Sequence, residues 1–371
     1  MTIRTIAYFT DSQTFGGVEQ ALLTLLAELD RQRWRPILIH HPAPAINMLL
    51  DEARQLDVEL WPVPPMPEGL SSAIHVPAIV RLLRAQRLDI FHAHLSWPRA
   101  CKFGLFGAML ARVPVIIATA HLFVEAPITR PTYWQQQWLF KGVDRYIAVS
   151  HEVARRMAAD YHLPSHKTCV IPNGISLAPF DQAIPADLSD VPHASIILTI
   201  ARLHEQKGLN YLLEAAVHVP EAMFVIAGDG PERSNLEAQA RTLNVDRRVI
   251  FLGHRRDIPE LLATCDVFVL SSLYEGLPLS VLEAMASRKP VIASSIGGVD
   301  EAVVSNETGL LVPPRDPIAL ADAIKSVLAD PVRAQQFGAN GRARVEQNFT
   351  STVMAQQVMG IYDELLSAHE H

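Results

Sequence analysis

Short apolar runs alternate with longer segments of helical period along the whole chain. Short, mostly apolar runs at 3–10, 35–40, 58–60, 90–94, 115–119, 145–149 and 168–171 predict strands. A second series follows at 195–200, 223–227, 249–252, 267–270 and 309–312. Amphipathic spacing predicts helices at 18–29 and 350–368, the pattern also predicts helices at 317–328 and 332–347, and another opens at Pro278. Ser150 is placed to cap a helix starting at His151. Alternating strand and helix signals argue for α/β architecture, with parallel sheets covered by helices on both faces.

Length then divides the pattern. At 371 residues the chain is long for one core and natural for two domains. Residues 176–194, rich in Pro, Asp, Ser and Ala, read as a linker between a domain at 1–175 and one at 195–349. Cys101, Cys169 and Cys265 are scattered and odd in number, which favours a reducing cytoplasm over a disulfide framework. The opening MTIRTIAYFT is too polar for a signal peptide, and no apolar run reaches the roughly 18 residues a spanning helix needs. Residues 1–180 carry 17 Lys and Arg against 14 Asp and Glu, and the remainder 15 against 25. A basic first half suits an anionic acceptor or an acidic membrane surface, though ordinary scatter explains it as well. With no basic run and a pI near 6.1, a nucleic-acid partner is not expected.

The densest chemistry lies at 271–301, SSLYEGLPLSVLEAMASRKPVIASSIGGVDE. An apolar strand ends in a polar turn, Ser271-Ser272, followed by Glu275 and Gly276. Leu277 and Pro278 lead into a mostly apolar helix that carries a second carboxylate, Glu283. The free N–H groups around Leu279 and Ser280 form an anion site at a helix N-terminus. Glutamates on either side of an anion could hold polyols, as in a ligand with sugar, diphosphate and ribose in series. A capped core helix with two surface glutamates is the plainer alternative.

Other candidates sit at strand ends. Gly16 and Gly17 lie between a strand and a helix N-terminus, where glycine lets a phosphate approach the backbone, although a plain tight turn needs them equally. Arg202 and Lys207 share the loop after strand 195–200, where two cations can neutralise a diphosphate. Gly228, Gly230 and Arg233 give G-x-G-x-x-R, which lacks the third glycine of a dinucleotide fingerprint. His92 and His94 alternate on one strand and point the same way; such a pair could ligate zinc, but no further ligand cluster accompanies it. His121 ends the strand VIIATA. Phe123, Arg130, Tyr133, Trp134, Trp138 and Phe140 form an aromatic stretch poor in acids, able to pack a core, shape an acceptor site or touch lipid. WPVPPMPEGL, at 61–70, reads as a stiff loop and a candidate acceptor wall.

The stretch at 271–301 resembles the signature of the retaining glycosyltransferases of family four, EG-x-P-x-x-x-x-EAMA-x-x-x-PVIA-x-x-x-GG-x-x-E. It is spelled here by Glu275, Gly276, Pro278, Glu283 to Ala286, Pro290 to Ala293, Gly297, Gly298 and Glu301. The family's usual helix-ending Gly is replaced by Arg288 or Lys289. R-L-x-x-x-K-G is matched by Arg202, Leu203, Lys207 and Gly208, and the family's G-x-G-P turn by Gly228, Gly230 and Pro231. VIPNGI, at 170–175, matches the phrase before the family's interdomain linker.

The resemblance covers essentially the whole chain and implies the GT-B fold, two Rossmann-like domains facing across a cleft, with the terminal helix crossing back onto the first. It implies sugar transfer with retention from a nucleotide diphosphate sugar, a UDP-sugar before a GDP-sugar, to a glycan, lipid-linked or small-molecule acceptor. Arg202 and Lys207 would hold the distal phosphate, Glu283 the ribose, Glu275 and His121 the sugar. Gly16 and Gly17 would meet donor phosphate or sugar, Gly253 and His254 would lie near the base, and His94 would face the cleft. His94, Arg130 and Trp134 are the candidate acceptor residues. No Asp-x-Asp is present, so neither metal nor cofactor is expected, and the protein would be cytoplasmic or peripheral at the inner membrane surface. The rivals are an epimerase of the same fold, which would turn over donor without acceptor, and a non-catalytic subunit, which would bind donor without transfer or hydrolysis.

Overall fold

A computed structural model describes residues 3–65, 74–123, 130–188 and 195–370. Within them the chain forms two compact units. One comprises Met1–Gly174 with Ser351–His371, the other Ile175–Thr350. The distal part of the proline-rich stretch 61–70 and residues 189–194 of the expected linker lie outside the described residues.

The first unit holds seven parallel strands: β1 (Arg4–Phe9), β2 (Trp34–His40), β3 (Glu59–Pro62), β4 (Ile90–Leu95), β5 (Val115–Ala120), β6 (Arg145–Ala148) and β7 (Thr168–Val170). Their order is β3-β2-β1-β4-β5-β6-β7. Every residue of β4 and β5 is buried, the mark of strands covered on both faces. The helix Gly17–Ala27 packs Leu22 and Leu26 onto Ile6, Ile90 and Ile117.

The C-terminal helix Ser351–Glu370 belongs to this unit and inserts Met354, Val358 and Tyr362 into the same core. Tyr362 ties it in place. Its hydroxyl lies 2.7 Å from His92 Nδ1 and 3.2 Å from the Tyr8 hydroxyl, while His92 Nε2 meets Thr119 Oγ1 at 2.7 Å. Burial pushes the His92 imidazole down to about 3, so it is neutral and serves as a hydrogen-bonding group. Both of its nitrogens are engaged by hydroxyls, which removes the zinc reading of the His92/His94 pair. Removing the Tyr362 hydroxyl leaves His92 short of a buried partner, at about 1–3 kcal/mol. Tyr362→Phe is therefore expected to lower the midpoint of urea unfolding, and an unchanged midpoint would show that the chain contributes nothing.

The second unit holds six parallel strands: β8 (Ser195–Ile200), β9 (Ala222–Ala227), β10 (Val249–Gly253), β11 (Val267–Leu270), β12 (Val291–Ser294) and β13 (Gly309–Val312). Their order is β10-β9-β8-β11-β12-β13. Part of the expected linker is ordered here: Ala178–Gln182 is a short helix, and Asp181 accepts from Arg342 at 2.9 Å. The helix expected to open at Pro278 runs over Leu279–Ala286, with Pro278 as its extended N-cap. Past its end Arg288 takes the left-handed conformation, φ 56°, that glycine would supply at less cost.

Candidate functional site

In both sheets the strand order reverses once, between β1 and β4 in the first and between β8 and β11 in the second. Loops leaving the carboxyl ends of such strands diverge to opposite faces and open a crevice. In the second unit those loops are 201–208 and 271–278, which carry Arg202, Lys207, Glu275, Gly276, Leu277 and Pro278.

The two loops are stitched together. Leu273 N–H donates to the Gln206 carbonyl at 2.8 Å, and Ser271 Oγ donates to the Lys207 carbonyl at 3.0 Å. Gly208 is left-handed at φ 57°, and a Cβ there would lie 2.3 Å from the Ser271 carbonyl oxygen. Only glycine permits that approach. The stitching brings Lys207 Nζ to 2.5 Å from Glu275 Oε1, an oxygen that also accepts from Ser272 Oγ at 2.7 Å. The Glu275 side chain is only 7% exposed, so this ion pair is shielded from solvent. Arg202, on the same loop, is exposed and has no side-chain partner among the described residues.

Next to Glu275 the helix Leu279–Ala286 begins without a side-chain cap, and the N–H groups of its first turn, from Leu279 and Ser280 onward, remain available. One turn in, Glu283 is half-buried, its carboxylate has no hydrogen-bond or ion-pair partner among the described residues, and burial pushes that carboxyl up to about 7. Gly298 closes on this loop, since a Cβ there would fall 1.3 Å from the Gly276 carbonyl oxygen. The turn after β9 joins from the other side. Gly228, at φ 143°, presses on the Ala201 carbonyl and donates its N–H to the Gly253 carbonyl at 2.8 Å. His254, after Gly253, is exposed.

In the first unit the crevice is flanked by the loop after β1 and the segment after β4. Asp11 spans it, accepting the Cys101 N–H at 2.6 Å. Gly16 is the extended N-cap of the helix Gly17–Ala27, and Glu19, on its first turn, is 3% exposed with Oε1 unpartnered among the described residues. Burial raises its carboxyl above the ordinary range, partly offset by hydrogen bonds from Ser12 and from the Gly16 and Glu19 N–H groups. Glu19 was not singled out from the sequence. Its signal is the spacing: a Glu three residues past an N-cap reaches back to the cap's N–H.

His94 and His121 meet above β4 and β5. His94 Nδ1 lies 3.0 Å from His121 Nε2, and the rings stack at 25°. Burial pushes His121 down to about 4 and His94 well below its ordinary value, so both are neutral. At 2% exposure His94 is packed beneath His121, which leaves it little surface to offer an acceptor. Arg130 and Trp134 lie on the helix Arg130–Gly142, both exposed.

The sequence family of group 1 glycosyl transferases matches residues 182–344, and that of glycosyltransferase family 4 matches 15–178. A glycogen synthase from Mycobacterium tuberculosis is 30% identical over 75% of this chain and 69% of its own length. The chain is a group 1, family 4 glycosyltransferase. The Escherichia coli enzyme UDP-Gal:alpha-D-GlcNAc-diphosphoundecaprenol alpha-1,3-galactosyltransferase is 29% identical to this transferase over 97% of both chains. Anabaena HepE, crystallised with UDP, shares the fold with a TM-score of 0.82, at 23% identity over 98% of the transferase and 100% of the Anabaena chain. The expected GT-B fold is therefore present.

Proposed function

We propose that this glycosyltransferase moves a hexose from a UDP-sugar, with a GDP-sugar as second choice, to a glycan or lipid-linked acceptor, with retention and without a metal. One observation carries the reading. At the switch point of the second sheet, a shielded Lys207–Glu275 pair stands beside a helix N-terminus with no side-chain cap and, among the described residues, an Arg202 guanidinium and a Glu283 carboxylate without partners. Cations and helix N–H groups suit a diphosphate, and the carboxylates suit hydroxyls of the groups on either side. As the glycosidic bond breaks, negative charge grows on the distal phosphate. Arg202, Lys207 and the first-turn N–H groups are fixed positive features able to meet it. Glu275, held by Lys207 and Ser272, would accept from the sugar, and Glu283 from the ribose. His121, neutral and held by His94, would orient the sugar as a hydrogen-bonding group.

The choice of UDP rests on the E. coli relative, which uses UDP-Gal, and on the Anabaena protein, which was crystallised with UDP. The lipid-linked acceptor rests on the former alone. Work in the cytoplasm, peripheral at the membrane through the first unit, completes the proposal.

A thermal-shift series with UDP-, GDP- and ADP-sugars in excess EDTA tests it. A ligand at a hundred times its Kd adds about 2.7 kcal/mol to the native state. In domains of this size that raises the midpoint by roughly 5 °C or more. UDP-sugars should give the largest rise, and transfer should persist in EDTA. Loss of turnover in EDTA with recovery on adding a divalent ion would overturn the metal-free reading, and a response to GDP-sugars alone would reassign the base.

A further inference from the structure

The helix Arg130–Gly142 shows solvent a face that the donor chemistry does not use. Arg130, Trp134, Trp138 and Lys141 recur at helical spacing along one side, and all are exposed, Trp134 by 69% and Trp138 by 48%. The opposite side is core: Gln136, Leu139 and Phe140 are buried. The neighbouring helix Lys102–Ala111 extends the exposed face. Its Phe106 ring meets Trp138 edge-on at 5.2 Å, Leu110 is 44% exposed, and Lys102 Nζ stands 5.0 Å from the Phe103 ring.

Single exposed apolar residues are ordinary, but two tryptophans joined to Phe106 and Leu110 form a patch. Its charge is equally distinctive. From Ser96 to Gly142 the chain has five Lys and Arg and one acid, Glu125, in a protein whose net charge is −7. Neither helix carries Asp or Glu. We propose that this face docks on an anionic phospholipid bilayer, with the helix Arg130–Gly142 lying in the interfacial plane.

The residue types fit that solvent. Indole rings sit at the headgroup level with their N–H still hydrated, and Arg and Lys extend their cations to lipid phosphates from apolar stems. The helix has 13 residues, far too short to span, and among the described residues no helix is long and apolar enough to cross a membrane. The inference sharpens the membrane part of the proposed function. Its test reads binding rather than turnover, so it stands or falls separately from the transferase reading.

The experiment is co-sedimentation of the full chain with vesicles of phosphatidylcholine alone or with phosphatidylglycerol, alongside Trp fluorescence with brominated lipid. Binding should require phosphatidylglycerol and weaken with salt, and brominated chains should quench emission. Trp134→Ser with Trp138→Ser should abolish the quenching and weaken partitioning about tenfold or more, while a cooperative unfolding transition remains, since both rings are largely exposed and Trp138 gives up only its edge contact with Phe106. Arg130→Ala and Lys141→Ala should each weaken it about fivefold. Binding unaffected by any of these changes overturns the proposal. So does a concentration-dependent dimer, seen by light scattering, that Trp138→Ser dissolves while vesicles are ignored. Loss of transfer to a water-soluble acceptor with vesicle binding intact would also overturn it and make the face an acceptor wall.

Discussion

Alanine at Arg202 or at Lys207 is expected to cut the turnover number on the order of a hundredfold, with a smaller rise in the donor's KM. The proposed target of both cations is the distal phosphate, whose charge grows as the glycosidic bond breaks, so the interaction strengthens toward the transition state. The structure separates the two residues. Arg202 has no side-chain partner among the described residues, so its removal takes away a cation and little else. Lys207 is 2.5 Å from a Glu275 carboxylate that is 7% exposed, so its removal also strands a shielded charge. Breaking a buried pair by removing one partner costs about 3–5 kcal/mol when burial is complete. Lys207→Ala should therefore also lower the unfolding midpoint, whereas Arg202→Ala should not. Lys207 and Glu275 should couple strongly in a double-mutant cycle. Lys207→Arg should rescue only partly, because a planar fork does not replace a compact ammonium. Steady-state kinetics at saturating acceptor decides: a normal turnover number at saturating donor in both alanine variants would leave uniform ground-state binding as the explanation.

Much of the architecture was legible because parallel strands buried on both faces leave continuous apolar runs. The predicted runs at 90–94 and 267–270 became β4 and β11 with little change of bounds. Strand β12 was not separately read, because its four residues sit inside a motif noticed for its chemistry. The helix-ending residue also departed from expectation in a readable way, since Arg288 itself adopts the left-handed conformation.

At the candidate site, residue types were legible and contacts were not. Lys207 and Glu275 stood out separately as a cation and a carboxylate, but they are 68 positions apart in sequence, and only the return of β11 beside β8 brings them together. The same holds for His92 and His94. Alternation places them on one face of β4, but their partners there are Tyr362 for His92, 270 positions further on, and His121 for His94. The need for Gly298 likewise becomes visible only once the Gly276 carbonyl is seen where its side chain would be.

Glu283→Ala is expected to weaken binding of free nucleoside diphosphate roughly tenfold or more, because hydrogen bonds to a charged group are worth about 1.5–3 kcal/mol. The pH dependence makes the test sharper. Burial raises the Glu283 carboxyl to about 7, so in the free protein it takes up a proton near neutrality. For a carboxyl raised on folding, the contribution to stability is full below the ordinary carboxylate range and is lost as pH rises through about 7. Ribose binding has the opposite sign, because the ionised form accepts from two hydroxyls and the acid form surrenders one accepting position to its own proton. Between pH 6 and pH 8 the free protein should therefore lose stability from this group while the nucleotide-induced thermal shift grows. Glu283→Gln removes the titration and keeps the shape, so it should flatten both trends. The diphosphate's own ionisation is common to both proteins and cancels in their difference. Calorimetry with free nucleotide across this range gives the result directly. Parallel pH profiles for wild type and Glu283→Gln, with equal affinities at pH 8, would remove Glu283 from the ribose site.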